Sequence, residues 1–177
     1  MSIEALRKGL PAYARDIKIN LGRILSEDGA EGLNLKQTYA VALACAYAVK
    51  NSTVINAVYD GARAHLSESE IEATKAAATI MAMNNVYYRF VHLVSDKKYG
   101  KLPANLRMTI IANSGVPETD FELMSLAVSA INGCGMCMDS HVSAVVRHGM
   151  SEQAVQSVIR IAAVISAAAQ AVVIEHV

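Results

Sequence analysis

Cys134, Cys137 and His141 fall within the stretch "NGCGMCMDSH", residues 132–141, of a 177-residue chain that has only one other cysteine, Cys45. If Cys134 to Arg147 is a helix, the spacing i, i+3, i+7 puts the two thiols and the imidazole on one face. The Cα atoms of Cys134 and Cys137 then stand roughly 5 Å apart, within disulfide range. Cys137 and His141 are an i, i+4 pair, close enough for a hydrogen bond. Asn132, Gly133 and Gly135 mark the helix start, so both thiols lie in the first turn, where the positive end of the helix dipole favours thiolate. Such an arrangement makes a nucleophile with a resolving partner beside it. Three other uses compete with a redox-active pair. One is a zinc site, for which His148 is an awkward fourth ligand. The second is an inert disulfide closing a small loop. The third is two idle buried thiols, against which the polar "DSH" argues.

Placing that face requires helices, and most of the sequence reads helical: alanine, leucine, glutamate and lysine are common, and glycine and proline are sparse. The reading gives helices over about Pro11 to Leu25, Leu35 to Val49 and Glu70 to Val94. The third opens on a capping box, Ser67 with Glu70. A short helix is expected over "ANLRMTIIA", residues 104–112. Thr119 and Glu122 form a second expected capping box, opening a helix to about Ile131, followed by Cys134 to Arg147 and Ser151 to Glu175. On spacing alone Glu122 is a helix cap; orienting His141 would require the two helices to pack antiparallel. Asn84 and Asn85, inside an apolar helix, need buried partners and are expected to tie that helix to a loop or to another subunit. Cys45 in "ALACAYA" reads as a small core residue. His65, His92, His148 and His176 sit near helix ends, where surface or capping roles are usual.

A weak repeat is visible at an offset of 84 residues: "RAHLSESEI" from Arg63 aligns with "RHGMSEQAV" from Arg147, and the helix starts coincide. The expected organisation is one domain over 1–177 made of two similar helical halves, about 36–95 and 120–177. At this offset Lys50 and Thr53 stand where the second half has Cys134 and Cys137, so the chemistry belongs to the second half.

Composition narrows the function. Sixteen basic and sixteen acidic side chains cancel, which gives no footprint for nucleic acid. The N-terminus lacks an unbroken apolar run, and the apolar segment Ala154 to Ile174 is interrupted by Arg160 and Gln170, so neither a signal peptide nor a membrane span is expected. The chain reads as cytoplasmic, where a C-x-x-C pair is more often catalytic or metal-binding than structural. No nucleotide-binding glycine loop is present. A thioredoxin fold, which builds its cysteines on a βαβ sheet, does not suit a helical pattern.

The pattern Glu122, Cys134, Cys137, His141, spaced E-x11-C-x2-C-x3-H, resembles the AhpD alkyl hydroperoxidase family of the carboxymuconolactone decarboxylase-like superfamily. The stretches "MSIEALRKGLPAYARDIKINL", "MNNVYYR", "LRMTIIAN" and "FELMSLAVSAINGC" extend that resemblance over nearly the whole chain. It implies an all-α helical bundle with an internal repeat, assembled as a homotrimer. It implies a peroxidase that reduces organic hydroperoxides without a tightly bound cofactor or a metal. It further implies reduction of the peroxiredoxin AhpC, with electrons from the dihydrolipoyl group on the lipoylated subunit of a 2-oxo acid dehydrogenase complex. By the resemblance Cys137 is oxidised to sulfenic acid, Cys134 is proton donor and resolving thiol, and Glu122 with His141 forms a proton relay. One departure is Met136, where a well-known member has histidine; a step using that histidine differs here or is not essential. A lactone decarboxylase of the same superfamily has no use for the thiol pair. A redox-responsive interaction protein, its disulfide gating a partner, is the alternative outside enzymology.

Overall fold

Small and apolar side chains fill every position from Ala40 to Ala46, and all seven are buried, so this helix is enclosed on all sides. It is α3, Leu35–Val49, the centre of the bundle in the computed structural model, which describes residues 1–175. Helices α4 (Ser52–Ala62), α5 (Glu68–Leu93), α6 (Glu118–Ile131) and α8 (Glu152–Ile174) pack on α3. Helix α7 (Gly135–Arg147) lies against α5 and α6. The N-terminal helices α1 (Ile3–Gly9) and α2 (Arg15–Ile24) cover α4 and α8. Among the described residues there is no strand, as an all-α bundle requires.

Helices α3, α4 and α5 are followed by α6, α7 and α8 in the same order. Glu118 begins α6 83 residues after Leu35 begins α3, Gly135 follows Ser52 by 83, and Glu152 follows Glu68 by 84. Ser67 and Ser151 cap α5 and α8, each accepting a hydrogen bond from the backbone N–H three residues on.

The Ser67–Glu70 capping box forms as its sequence predicts. Two hydrogen bonds place the Glu70 carboxylate below the usual carboxylate range, first from Lys36 and then from the Ser67 backbone. A lowered folded-state pKa contributes stability above the unfolded value, and that stability is lost as pH falls through the folded one. Ser67→Ala is expected to cost about 1 kcal/mol in a urea melt at neutral pH. Glu70→Gln keeps an acceptor for the Ser67 N–H but loses the charge, so its deficit against the wild type should vanish in acid. An equal deficit at every pH would contradict the Lys36 contribution.

Several local expectations are corrected. Residues 104–112 form no helix: Asn105 takes a left-handed φ of 51°, and only turn bonds follow, Ile111 N–H to Met108 O and Asn113 N–H to Ile110 O. Thr119 is not a cap. Pro117 occupies the N-cap position of α6 without a side-chain bond, which leaves Glu122 inside the helix and free of capping duty. Pro11 to Leu25 divides into a 3-10 turn, Ala12–Ala14, and α2. Helices α1 and α4 were not foreseen; their N-caps are Ser2 and Asn51. Helix α8 is long and apolar enough to cross a membrane by composition, yet half of its most apolar stretch is buried within the protein. His176 lies outside the described residues.

Candidate active site

The turn Asn132–Cys134 joins α6 to α7 so tightly that one residue serves both helices. Cys134 N–H bonds to Ser129 O at 3.0 Å and Gly133 N–H to Ala130 O at 3.2 Å, the paired bonds that close a helix through a left-handed residue. That residue is Gly133, with φ 67°, a conformation costly for any side chain with a Cβ. Cys134 is at the same time the N-cap of α7, its Sγ accepting from the Cys137 backbone N–H at 3.3 Å. The connection is short, so α7 runs back along α6.

This return brings Glu122 of α6 to His141 of α7. Oε2 of Glu122 and Nδ1 of His141 are 2.7 Å apart, and the residues are only 9% and 8% exposed. With Nδ1 engaged, Nε2 is the ring nitrogen left to exchange a proton. Cys134 and Cys137 are joined as a disulfide, S–S 2.07 Å with Cα atoms 5.3 Å apart. Cys134 is completely buried. Cys137 is 6% exposed and, with His141 and Glu122, lines a cavity of about 370 Å³. All four candidate residues therefore gather at one place, and of the two cysteines only Cys137 lines the cavity.

The rest of the wall is mostly apolar and includes Met136, Met81 and Ala144. Met108 and Ile111, from the segment expected to be helical, contribute from the facing loop. Met136 thus stands on the wall between the two cysteines in sequence. Glu118 and Arg147 also line the cavity, so it offers a largely apolar surface with charged groups on its wall, which suits a small organic molecule with a nonpolar body and a polar end.

A second set of bonds fixes the turn. Asn85 is fully buried on α5; its Nδ2 donates to Ser129 Oγ at 2.9 Å and its Oδ1 accepts from Asn132 Nδ2 at 2.9 Å. Arg89, one turn on, donates from Nη1 to Asn132 O at 2.6 Å. The expectation that the asparagine pair ties its helix to a loop is met by Asn85. The arginine was missed, although "MNNVYYR" contains it at i+4 from Asn85 on the same face.

The remaining histidines and cysteine are elsewhere. His148 Nδ1 lies 2.8 Å from Ala144 O at the end of α7, and its other nitrogen approaches Glu118. His65 stacks on Tyr39 with ring centroids 4.3 Å apart. Cys45 is buried in α3, and burial pushes its thiol far above the usual range, which makes it a poor nucleophile. Cys45→Ala should leave turnover unchanged and cost on the order of 1 kcal/mol for the lost sulfur. Loss of turnover in a variant with an unchanged circular dichroism spectrum would contradict that placement.

Comparison with known proteins agrees over nearly the whole length. The family model described as Carboxymuconolactone decarboxylase family matches residues 97–175. A protein of Coxiella burnetii (strain RSA 493 / Nine Mile phase I) named alkyl hydroperoxide reductase AhpD is 53% identical over 174 residues, 98% of each chain. Proteins of the same name from Azorhizobium caulinodans and Methylocella silvestris are 52% and 48% identical, covering 97% and 96% of this chain and 93% of each of theirs.

Proposed function

The chain belongs to the AhpD family, and on that premise we propose that it is a lipoyl-linked peroxidase that reduces organic hydroperoxides through Cys134 and Cys137. The observation that carries this reading is the shared cavity: Cys137 opens onto it beside the His141–Glu122 pair, while Cys134 is buried behind. The Cys137 thiolate attacks the terminal oxygen of ROOH. The S–O bond forms as the O–O bond breaks, leaving Cys137 as a sulfenic acid and releasing an alkoxide that is protonated to the alcohol. Glu122 orients the imidazole, and His141 moves the proton taken from the Cys137 thiol. Cys134 then displaces the sulfenic oxygen as water, forming the Cys134–Cys137 disulfide. A dihydrolipoyl dithiol returns two electrons and two protons to the pair and leaves as a cyclic disulfide.

No tightly bound cofactor enters this cycle. The same dithiol pair, once reduced, is proposed to reduce the disulfide of AhpC, with the lipoylated subunit of a 2-oxo acid dehydrogenase complex as the source of electrons. We read the two helix triplets as an internal repeat within one domain, and the protein as cytoplasmic and homotrimeric. Supporting association, Val86, Phe90 and Leu93 lie exposed at spacing i, i+4, i+7 on one face of α5.

The test is loss of an organic hydroperoxide with dihydrolipoamide as reductant. Turnover well above that of free dithiol is expected. A rate equal to dithiol alone would contradict a peroxidase and favour a redox-responsive interaction protein.

A further inference from the structure

The alkoxide that leaves as O–O breaks needs a proton inside the cavity. Cys134, the proton donor that the family resemblance implies, is completely buried and is not on the cavity wall. His141 stands one turn from Cys137 on α7 and holds the thiol proton while sulfur attacks. Displacement at oxygen runs in line, so the leaving oxygen moves away from sulfur and away from the wall that α7 supplies. Ser140 and Arg147 share that wall with the sulfur.

Helix α5 supplies another wall with Met81, Asn84 and Tyr88, at spacing i, i+3, i+7 on one face. Of the three, Tyr88 carries an open donor. It is half-buried, and its hydroxyl has no hydrogen-bond partner among the described residues. The partnerless side-chain atoms sealed from solvent are Asn84 Oδ1 and Ser125 Oγ; the Tyr88 hydroxyl is not one of them and so remains accessible. The ring is held edge-on to Tyr87, centroids 5.2 Å apart. The bonds from Asn85 and Arg89 to the Asn132 turn fix how α5 is rotated against the site. Packing does not demand a phenol here. Eighty-four residues on, the spacing between the starts of α5 and α8, the residue is Val172, buried.

We propose that Tyr88 is the general acid for the leaving group, its O–H donating to the alkyl-bearing oxygen of ROOH. The inference rests on the proposed peroxidase reading. The Cys137 thiolate gives an electron pair to the terminal oxygen, S–O forms, and the O–O pair departs with the RO oxygen. Tyr88 passes its proton to that oxygen, so alcohol leaves rather than alkoxide. A phenol is a far stronger acid than an aliphatic alcohol, so the transfer runs downhill. The Tyr88 phenolate regains a proton, relayed by solvent, as His141 releases the one taken from the Cys137 thiol. The sum is Cys137–SH plus ROOH giving Cys137–SOH plus ROH. A donor placed where negative charge develops stabilises the transition state more than the bound substrate.

The test uses the reduced full-length protein with both cysteines present. Second-order rates of peroxide consumption in a single turnover are measured with two small oxidants. One is tert-butyl hydroperoxide, whose leaving group is an alkoxide; the other is peracetic acid, whose leaving group is acetate and needs no proton. Tyr88→Phe keeps the ring and its packing on Tyr87 and removes only the O–H. It should lower the ratio of the first rate to the second about a hundredfold, the low end of general-acid help. Should Tyr88→Phe alter the circular dichroism spectrum, Tyr88→Met makes the same comparison. An unchanged ratio in the folded variant, whether both rates hold or both fall together, overturns the inference and leaves the peroxidase reading standing. A parent protein that consumes tert-butyl hydroperoxide no faster than a free dithiol overturns both.

Discussion

Replacing Cys137 by serine should end hydroperoxide turnover, with loss to the level of dithiol alone, and replacing Cys134 by serine should do the same to the dithiol-driven cycle. The two failures differ in kind. Cys137→Ser removes the sulfur that opens onto the cavity, so no oxygen is transferred. Cys134→Ser leaves that sulfur in place and removes the thiol that resolves its sulfenic acid. The Cys134→Ser protein should therefore consume about one equivalent of hydroperoxide and stop, while Cys137→Ser consumes none. Steady-state assays with dihydrolipoamide, followed by single-turnover assays of the reduced proteins, separate the two. Sustained turnover in either variant would contradict a two-cysteine cycle.

His141→Gln should slow turnover by about 10²–10⁴-fold, the usual worth of general acid–base help, without altering the helical spectrum. Glutamine keeps a polar side chain of similar size beside Glu122 but cannot carry a proton. Glu122→Gln should show a smaller loss, because an amide can still accept a hydrogen bond from Nδ1 but lacks the charge that holds the imidazole. The residues are 2.7 Å apart and act through one ring, so the double variant should be no slower than His141→Gln alone. Fully additive losses would mean that Glu122 and His141 serve separate steps. Wild-type rates in His141→Gln would remove the relay.

Much of this site was legible because its grouping is local. Cys137 and His141 share one face of α7 by spacing alone, and that helix exists, although Cys134 caps it in an extended conformation rather than standing in its first turn. The Ser67–Glu70 box and the N-cap at Ser151 were readable for the same reason: the donor and acceptor are three residues apart. Glu122 shows where local reading misleads. "TDFE" has the form of a capping box, but Pro117 starts the helix earlier and the glutamate is claimed by a residue nineteen positions on. Only the packing of α7 on α6 reveals that partner, and sequence spacing carries no information about it apart from the family resemblance.

The cavity wall was less legible still. Met81 and Asn84 come from α5, and Met108 and Ile111 from a loop. That loop read as helical because "ANLRMTIIA" has good helix formers and an apolar face, whereas Asn105 in a left-handed conformation breaks it. Helix α4 was missed for the opposite reason. "STVINAVYDGA" is rich in β-branched residues with weak helix propensity, and burial of Val54, Ala57 and Val58 against its neighbours outweighs that.

The measurement that bears most directly on this account is the site of oxidation. Reduced Cys134→Ser and Cys137→Ser proteins are each treated with one equivalent of an organic hydroperoxide, trapped with a sulfenic-acid probe and read by peptide mass spectrometry. Cys137 as the attacking sulfur, open to the cavity beside His141, predicts probe on Cys137 in Cys134→Ser and none on Cys134 in Cys137→Ser. Equal labelling of Cys134 in the Cys137→Ser protein would contradict that assignment.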